Sequence, residues 1–464
     1  MTLPTASVSL ETLRRFDRPG PRYTSYPTAV EFHGVVGEEE YRTMLGETDR
    51  SGSDTPLSLY VHIPFCEHKC HFCACHVIAA PQVEVAAQYL RYLKREISAV
   101  ANLLPRRRKL AQIQWGGGTP TYLTPAQIED LFGHIGRYFT LQEKAEVAIE
   151  IDPRVTTPEH LVTLGRLGFN RLSLGVQDFA PTVQEAIGRG QTFEETEELV
   201  RHARAIGFGE GINFDLIYGL PRQGLEAFNA SLDRVLELRP DRLAVYSFAF
   251  VPWIKSNQRL LQPEDFPEPA LKLELYLMTL NRLLDAGYEP IGMDHFALPH
   301  DELAVAVREK RLERNFMGYT VKPVSTMVGF GVSAIGDLEQ GYFANCKKLS
   351  TYYQRLDMGK MPVERGCLLD EDDRIRRHVI MSLMCNFQVD KEVVSNRFGI
   401  DFDHYFASSL SRLNDLEDAG FVLNGSRSVE VVGSGRLFVR NAAMAFDRYL
   451  EARSGTRPVF SRTV

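Results

Sequence analysis

The chain carries, at residues 57–75, the stretch LSLYVHIPFCEHKCHFCAC, in which an apolar run leads directly into four cysteines. The run, Leu57–Phe65, is typical of a parallel β-strand that is buried on both faces. Cys66, Cys70, Cys73 and Cys75 follow where that strand ends. Because the carboxyl ends of parallel strands carry the chemistry of α/β barrels, this stretch predicts both an architecture and a site.

The same alternation of an apolar run and a longer helical pattern recurs along the chain. Thr124-Pro125 and Thr157-Pro158 are typical helix starts, in which an N-cap residue precedes a proline. Six such βα units with right-handed crossovers predict an α/β fold, a complete or partial (β/α)6 barrel of TIM type. The runs interpreted as strands are Leu57–Phe65, Leu110–Trp115, Glu146–Asp152, Arg171–Gln177, Gly211–Tyr218 and Arg242–Phe250.

Unusual residues stand at the ends of several predicted strands. Three adjacent glycines permit a ligand to approach the backbone closely, and acidic and amide side chains can bind its polar groups. Asp215 is the exception, because it lies inside the fifth run. The residues at strand ends are the cysteines, Gly116-Gly117-Gly118-Thr119, Glu150, Asp152, Gln177 and Asp178.

Two flanking segments differ from the barrel pattern, so the chain is divided into 1–55, 56–370 and 371–464. The first is a proline-punctuated arm whose Tyr23 and Tyr26 are expected to pack on something. The last is expected to be small, mostly helical and similar to a winged helix. Its predicted elements are helices at 372–387, 391–398 and 402–419, a hairpin at 421–432 and a last helix near 436–450.

Composition excludes several classes of function. The 464 residues include 53 basic and 60 acidic side chains, a net charge of −7, which disfavours a general nucleic-acid binder. Basic residues of 371–464 alternate with acidic ones, which disfavours a DNA-reading module there. No apolar run approaches the ~20 residues of a membrane helix. The first residues lack a secretory signal pattern, so we expect a cytoplasmic protein with no membrane span and no nucleic-acid partner.

The spacing of the clustered cysteines indicates a metal centre. Zinc is not excluded by counting, since His68, His71 and His76 lie in the same segment. Cys66, Cys70 and Cys73, however, are spaced to hold three irons of a [4Fe–4S] cluster and leave one iron open. The remaining cysteines are expected to be small buried hydrophobic residues: Cys346, Cys367 and Cys385.

This cysteine motif, with Phe72 before its third cysteine, resembles that of the radical S-adenosylmethionine superfamily. The resemblance narrows to the oxygen-independent coproporphyrinogen III oxidase family and extends over nearly the whole chain. The motifs that carry it are Arg22–Thr28, Tyr60–Cys66, Gly116–Leu123, Gly175–Phe179, Asp215–Pro221, Gly292–Ala297 and Gly331–Ile335.

The resemblance implies a reaction and its cofactors. Two propionates of coproporphyrinogen III would be oxidatively decarboxylated to vinyl groups without oxygen, giving protoporphyrinogen IX through a 5′-deoxyadenosyl radical. It further implies two S-adenosylmethionine molecules and a one-electron donor such as flavodoxin or ferredoxin, and we expect a monomer. Cys66, Cys70 and Cys73 would hold the cluster. The first S-adenosylmethionine would contact Tyr60, Gly117, Glu150 and Ile335, and the second Phe72, Gly118, Thr119, Gln177, Arg189, Asp215 and Ala249.

Substrate recognition is less determined by the sequence. Four carboxylates on the substrate call for basic partners near the barrel mouth, and the candidates are Lys255, Arg259, Arg311 and Arg314. Two positions depart from the family pattern: Met317 stands where a glutamine is expected, and Trp253 is a bulky residue near the exit of the sixth strand. The resemblance gives Cys75 a place in the family motif but no mechanistic role.

Other classes of function stay open at this point. A haem-binding chaperone of the same superfamily would share the barrel. Such proteins carry a His-Asn-x-x-Tyr-Trp motif, whereas this chain has Arg314-Asn315 and Tyr319-Thr320 at the corresponding place. An electron-transfer iron–sulfur protein or a zinc-loop DNA binder would leave the glycine loop and the carboxylates unexplained.

Overall fold

The computed structural model describes residues 8–51, 55–80, 84–322, 326–452, 460 and 462–463. These residues form two compact units. The barrel unit comprises the described residues of Phe32–Glu268 and Val324–Leu368, and the terminal unit those of Met1–Glu31, Pro269–Pro323 and Leu369–Val464. Each unit is built from segments that are distant in the chain, and sequence periodicity does not show which distant segments pack together. The functional division into 1–55, 56–370 and 371–464 stays a prediction.

The barrel unit contains a sheet in which six parallel strands lie side by side in chain order, as expected for a partial barrel. With strands and helices numbered in chain order, the strands of this unit are β1 (Leu57–Ile63), β2 (Phe65–Cys66), β3 (Ile78–Ala79), β4 (Lys109–Gly117), β5 (Thr140–Ile151), β6 (Arg171–Gln177), β7 (Ile212–Tyr218), β8 (Arg242–Ser247), β13 (Thr326–Phe330), β14 (Ile335–Leu338), β15 (Gly341–Asn345) and β16 (Val363–Leu368).

An extension of the sheet was not expected from the sequence. Within the barrel unit the strand order is β16-β15-β14-β13-β1-β4-β5-β6-β7-β8. Strand β13 is parallel to β1, and the three strands beyond it are antiparallel. The first predicted strand is therefore an interior strand of the sheet, hydrogen-bonded on both edges.

The helices of the barrel unit begin where the capping signals place them. Thr124 Oγ1 accepts a hydrogen bond from Gln127 N, and Thr157 Oγ1 accepts one from His160 N. These caps satisfy backbone donors of the first helical turn. The helices are α2 (Glu38–Ser51), α3 (Glu84–Leu103), α4 (Pro125–Gly136), α5 (Pro158–Leu167), α6 (Pro181–Ala186), α7 (Phe193–Ala205), α8 (Leu225–Leu238) and α11 (Leu349–Asp357).

The terminal unit is mostly helical. Its helices are α1 (Leu10–Phe16), α9 (Pro269–Asp285), α10 (Glu302–Arg308), α12 (Glu371–Asn386), α13 (Lys391–Phe398), α14 (Phe402–Tyr405), α15 (Ala407–Ser411), α16 (Asn414–Asp418), α17 (Val439–Met444) and α18 (Arg448–Ala452). Its strands are β9 (Glu289–Gly292), β10 (His295–Ala297), β11 (Glu313–Asn315), β12 (Gly318–Thr320), β17 (Gln388–Asp390), β18 (Val422–Asn424) and β19 (Ser428–Val431).

Two predicted helices of this unit are wrong as continuous elements. The segment 402–419 forms α14, α15 and α16, because Phe406 leaves helical geometry (φ −102°, ψ 18°) while its ring packs on Phe402 and Phe446. The segment 436–450 breaks near Asp447, whose Oδ1 accepts a hydrogen bond from Tyr449 N. The predicted hairpin at 421–432 is confirmed, and β17 adds a third strand to it.

The two arm tyrosines are buried in the terminal unit, which confirms that they pack on the fold. Tyr23 Oη donates to Asp447 Oδ2 at 2.8 Å, and Arg448 N donates to Tyr26 Oη at 3.1 Å. Burial raises the pKa of the Asp447 carboxyl, and the hydrogen bond from the Tyr23 hydroxyl opposes that rise by stabilising the carboxylate. Across the described residues, no helix combines the length and apolar character required to cross a membrane.

Candidate active site

Each of the three predicted cluster ligands meets a polar partner, which for Cys66 and Cys70 comes from another part of the barrel unit. Cys66 Sγ lies 3.2 Å from Thr119 Oγ1. Cys70 Sγ accepts from the guanidinium groups of Arg154 and Arg189 at 3.8 and 3.7 Å. Hydrogen bonding from the Cys75 thiol lowers the pKa of the Cys73 thiol to about 6.

The donor set fits a [4Fe–4S] cluster. Each thiolate of such a cluster binds a different iron, so the three sulfurs need not converge on one ion. In the described part of the chain no three Cys, His, Asp or Glu side chains are grouped as ligands of a metal ion. Burial raises the pKa of the Cys66 thiol to about 11, so a bound cation is what would stabilise its thiolate. The two guanidinium groups at Cys70 would offset the negative charge of a thiolate-bound cluster.

The glycine loop after β4 is packed against the cysteine segment. A Cβ on Gly116 would lie 2.5 Å from Glu150 Oε1, and one on Gly118 would lie 2.5 Å from Phe65 O. Gly117 has φ of +120°, and a Cβ there would lie 2.5 Å from the His62 ring. The backbone contact at Gly118 and the positive φ at Gly117 favour glycine at these two positions.

Residues expected to contact the first S-adenosylmethionine lie around β1. Glu150 Oε2 accepts from Gly117 N at 3.0 Å, and burial, with the nearby Asp215 charge, raises the pKa of Glu150 to about 7. Tyr60 Oη lies 3.0 Å from His62 Nδ1. Strand pairing places Tyr60 opposite Gly329, and a Cβ on Gly329 would lie 2.4 Å from Ile335 O. The four predicted contacts thus share one region of the sheet.

Several residues expected to contact the second S-adenosylmethionine meet at Gly175. Arg189 Nη2 donates to Gly175 O at 2.6 Å, and a Cβ on Gly175 would lie 2.8 Å from Gln177 Nε2. Asp215 is paired in register with Gly175 across β6 and β7. Burial raises the pKa of Asp215 to about 6, while hydrogen bonds from Asn213 and Ser173 oppose that rise.

The other predicted contacts of that group lie beside the cysteine loop. Gly118 N donates to Ile63 O at 2.8 Å, and Thr119 contacts Cys66. The carbonyl oxygens of Phe72 and Ala249 both accept from Gln258 Nε2, at 2.9 and 3.2 Å. Whether each of these side chains touches S-adenosylmethionine stays a prediction.

Sequence reasoning missed several side chains that hold this site together. Arg154 donates to Asp152 Oδ2 at 2.6 Å and to Arg189 O at 2.5 Å, besides contacting Cys70. Its position two residues after Asp152, at the end of a predicted strand, was a usable signal. Asn257 and Gln258 contact the cysteine loop from far along the chain, and no local pattern marks them.

Residues with a predicted substrate role belong to both units. Lys255 Nζ lies 3.4 Å from Cys75 O, whereas Arg311 and Arg314 belong to the terminal unit. Trp253 is 69% exposed, and Met317 lies at the turn between β11 and β12. Their parts in substrate recognition stay predictions. Cys346, Cys367 and Cys385 are buried, as expected.

Comparisons with known proteins decide the family. A model described as the Radical SAM superfamily matches residues 60–235, and one described as the HemN C-terminal domain matches residues 369–438. The oxygen-independent coproporphyrinogen III oxidase of Helicobacter pylori strain J99 is 43% identical over 459 residues, which cover 99% of this chain and 100% of that protein. The chain belongs to the oxygen-independent coproporphyrinogen III oxidase family.

Further members of the oxygen-independent coproporphyrinogen III oxidase family agree with this assignment. The relative from Escherichia coli K12 is 44% identical over 455 residues, 98% of each chain. The solved structure described as coproporphyrinogen III oxidase (HemN) from Escherichia coli, a radical SAM enzyme, has a TM-score of 0.89 and 45% identity, and covers 92% of this chain and 97% of that one. The predicted radical SAM fold, [4Fe–4S] cluster and S-adenosylmethionine are thereby confirmed, and nothing in these comparisons supports the chaperone alternative.

Proposed function

We propose that this chain oxidatively decarboxylates two propionates of coproporphyrinogen III to vinyl groups without oxygen, giving protoporphyrinogen IX in haem biosynthesis. The observation that carries the proposal is the cysteine loop, whose three thiols meet Thr119, Arg189 and Cys75 at the carboxyl ends of the barrel strands. Its support from relatives is the full-length identity to proteins that carry this enzyme's name.

In this proposal the chain's own residues bind and orient the cofactors. Cys66, Cys70 and Cys73 would hold the cluster, which together with S-adenosylmethionine would supply the one-electron chemistry for removing hydrogen from the propionate β-carbon. Glu150 would accept hydrogen bonds from the ammonium group of the first S-adenosylmethionine. Its carboxyl group is oriented by Gly117 N, and because burial raises its pKa, a nearby positive charge would favour its ionised form.

The polar partners of Asp215 and Arg189 fix their orientation. Asn213 and Ser173 donate to the two oxygens of Asp215, at 2.9 and 3.3 Å. Arg189 is 8% exposed and donates to Gln191 Oε1 and Gly175 O, so its guanidinium is held in one plane. Both side chains are therefore preorganised to bind the second S-adenosylmethionine.

The charge of the substrate and the need for an electron indicate the remaining partners of the enzyme. Four substrate carboxylates need cations, and Lys255 is the candidate that lies at the cysteine loop. Reducing the cluster requires a one-electron donor such as flavodoxin or ferredoxin. Free thiols at the site favour a reducing compartment, and we place the enzyme in the cytoplasm as a monomer.

An anaerobic assay tests the proposal. Protein reconstituted with iron and sulfide is mixed with S-adenosylmethionine, a reductant and coproporphyrinogen III, and protoporphyrinogen and 5′-deoxyadenosine are quantified. Both products are expected. Cys70→Ala should lose the cluster absorbance and turnover, whereas Cys346→Ala, a buried cysteine outside the site, should retain both. Stable haem binding without turnover, or zinc in place of iron, would overturn the proposal.

A further inference from the structure

Side chains, instead of regular secondary structure, hold the carbonyl groups of the cysteine loop. Asn257 Nδ2 donates to the carbonyl oxygens of Cys70, His71 and Cys73, at 3.1, 3.0 and 2.9 Å. These oxygens converge on one amide nitrogen. The Cys70 oxygen also accepts from Cys73 N, at 3.3 Å. Since carbonyl dipoles that point at each other repel, the Asn257 donor between them stabilises this shape of the loop.

The residues next to Asn257 hold further parts of the same loop. Gln258 Nε2 donates to Phe72 O at 2.9 Å, and Lys255 Nζ lies 3.4 Å from Cys75 O. Gln258 is fully buried, and its Oε1 accepts from Val251 N at 2.6 Å. Segment 255–258 therefore reaches the carbonyls of Cys70, His71, Phe72, Cys73 and Cys75.

The orientation of the Asn257 amide is determined by the loop alone. Its Oδ1 is buried and has no hydrogen-bond partner among the described residues. The reversed orientation would place that oxygen against three carbonyl oxygens. Because Oδ1 makes no other bond, a substitution that removes the amide removes the loop contacts and little else.

We infer that Asn257 is a positioning residue of the cysteine loop, which fixes the backbone at Cys70 and Cys73 and so sets the spacing of two of the three sulfurs. Gln258 extends this support to Ala249, at the exit of β8, so the loop and that exit are held by adjacent side chains. The inference deepens the proposed function and rests on it for the cluster, but the loop geometry is a property of the protein alone.

The test compares Asn257→Leu, which keeps the size of the side chain but has no donor, with the unaltered chain. In the metal-free protein, hydrogen exchange at the His71 and Cys73 amides should become about tenfold faster or more, because the loop opens more readily. In the reconstituted protein, iron should be released to a chelator about tenfold faster. The change that S-adenosylmethionine causes in the electron paramagnetic resonance spectrum of the reduced cluster should be weakened.

Asn102→Leu is the matched control, because Asn102 is exposed on helix α3. It should leave all three measurements within twofold of the unaltered chain. If Asn257→Leu does not fold, as judged by circular dichroism, Asn257→Ser, which retains one donor, replaces it and should give intermediate rates. Exchange and iron release within twofold of the control in the folded variant would overturn the inference. If the unaltered chain does not act on coproporphyrinogen III, but hydrogen exchange in the loop is still faster in Asn257→Leu, the proposed function alone is refuted.

Discussion

Adding one methyl group at Gly118 is expected to displace the cysteine segment. The Cβ of Gly118→Ala would lie 2.5 Å from Phe65 O and 2.8 Å from the Pro64 carbonyl carbon. Carbon–oxygen contacts in proteins are about 3.3 Å or longer, so the Phe65 backbone must retreat by roughly 0.8 Å. Phe65 is fully buried against the rings of Tyr89 and Tyr122, which leaves it no free space.

The displacement passes directly to Cys66, the first predicted cluster ligand. Thr119 N donates to Phe65 O at 2.8 Å, and Thr119 Oγ1 contacts Cys66 Sγ, so both contacts change together. Overpacking of this kind costs about 1–3 kcal/mol of stability. A shift approaching 1 Å among reacting groups lowers rates by about tenfold to a hundredfold, and we expect that loss in turnover.

The assay is anaerobic formation of 5′-deoxyadenosine and protoporphyrinogen by reconstituted protein, normalised to iron content. Gly133→Ala is the matched control: Gly133 is exposed in helix α4, nothing lies within 4 Å of an added Cβ, and alanine should stabilise the helix by up to about 1 kcal/mol. Turnover of Gly118→Ala within twofold of that control would refute the reasoning from steric contact.

Three further predictions concern groups described by the structure. Burial raises the pKa of Glu96 from 4.5 to about 7, so ionisation of this group should cost the unaltered protein about 3 kcal/mol of stability as pH rises from 4.5 to 7. Glu150 and Asp215 also have raised pKa values, so the test is a difference: denaturant unfolding of Glu96→Gln should show about 3 kcal/mol less loss over this range, and an equal loss in the two proteins would contradict the assignment. Tyr23→Phe leaves buried Asp447 without its hydroxyl donor and should lower the free energy of unfolding, measured by thermal unfolding, by about 1–3 kcal/mol. Tyr92→Phe is the control, because its partner Asp357 is exposed, and it should lower that free energy by less than about 0.5 kcal/mol. Equal effects would argue against the role of burial. Arg189→Lys keeps the charge but loses the planar guanidinium group that donates to Gly175 O and Gln191 Oε1. The KM for S-adenosylmethionine should therefore rise about tenfold, with a smaller change in kcat. An unchanged KM would exclude Arg189 from that site.

The parts of the fold that follow from local sequence were predictable. Most of the six parallel strands contain an apolar run, and helices α4 and α5 begin at Thr-Pro caps, so both signals lie within a few residues of the element they mark. The cysteine motif is equally local, which is why the cluster ligands could be named. The three-stranded antiparallel extension was missed because β14 and β15 are short and contain glycine, which weakens any periodic pattern.

Contacts between distant segments could not be predicted in the same way. Asn257 meets loop carbonyls 184 to 187 residues earlier in the chain, and a single asparagine in a polar segment carries no sign of them. The segment 402–419 has helical periodicity, but burial of the Phe406 ring against Phe446 outweighs local propensity and interrupts it. The sequence therefore predicted candidate ligands of the site but not the side chains that orient them.

The discontinuous make-up of the terminal unit has a consequence for biosynthesis. Tyr23 leaves the ribosome 424 residues before its partner Asp447. The barrel strands β1 to β8 are complete long before then, so they can fold while the amino-terminal helix still lacks its packing surface. During that interval the apolar side chains of the arm have no partner in their own unit, so a chain that stops before Asp447 would leave Tyr23 without its hydrogen-bond acceptor.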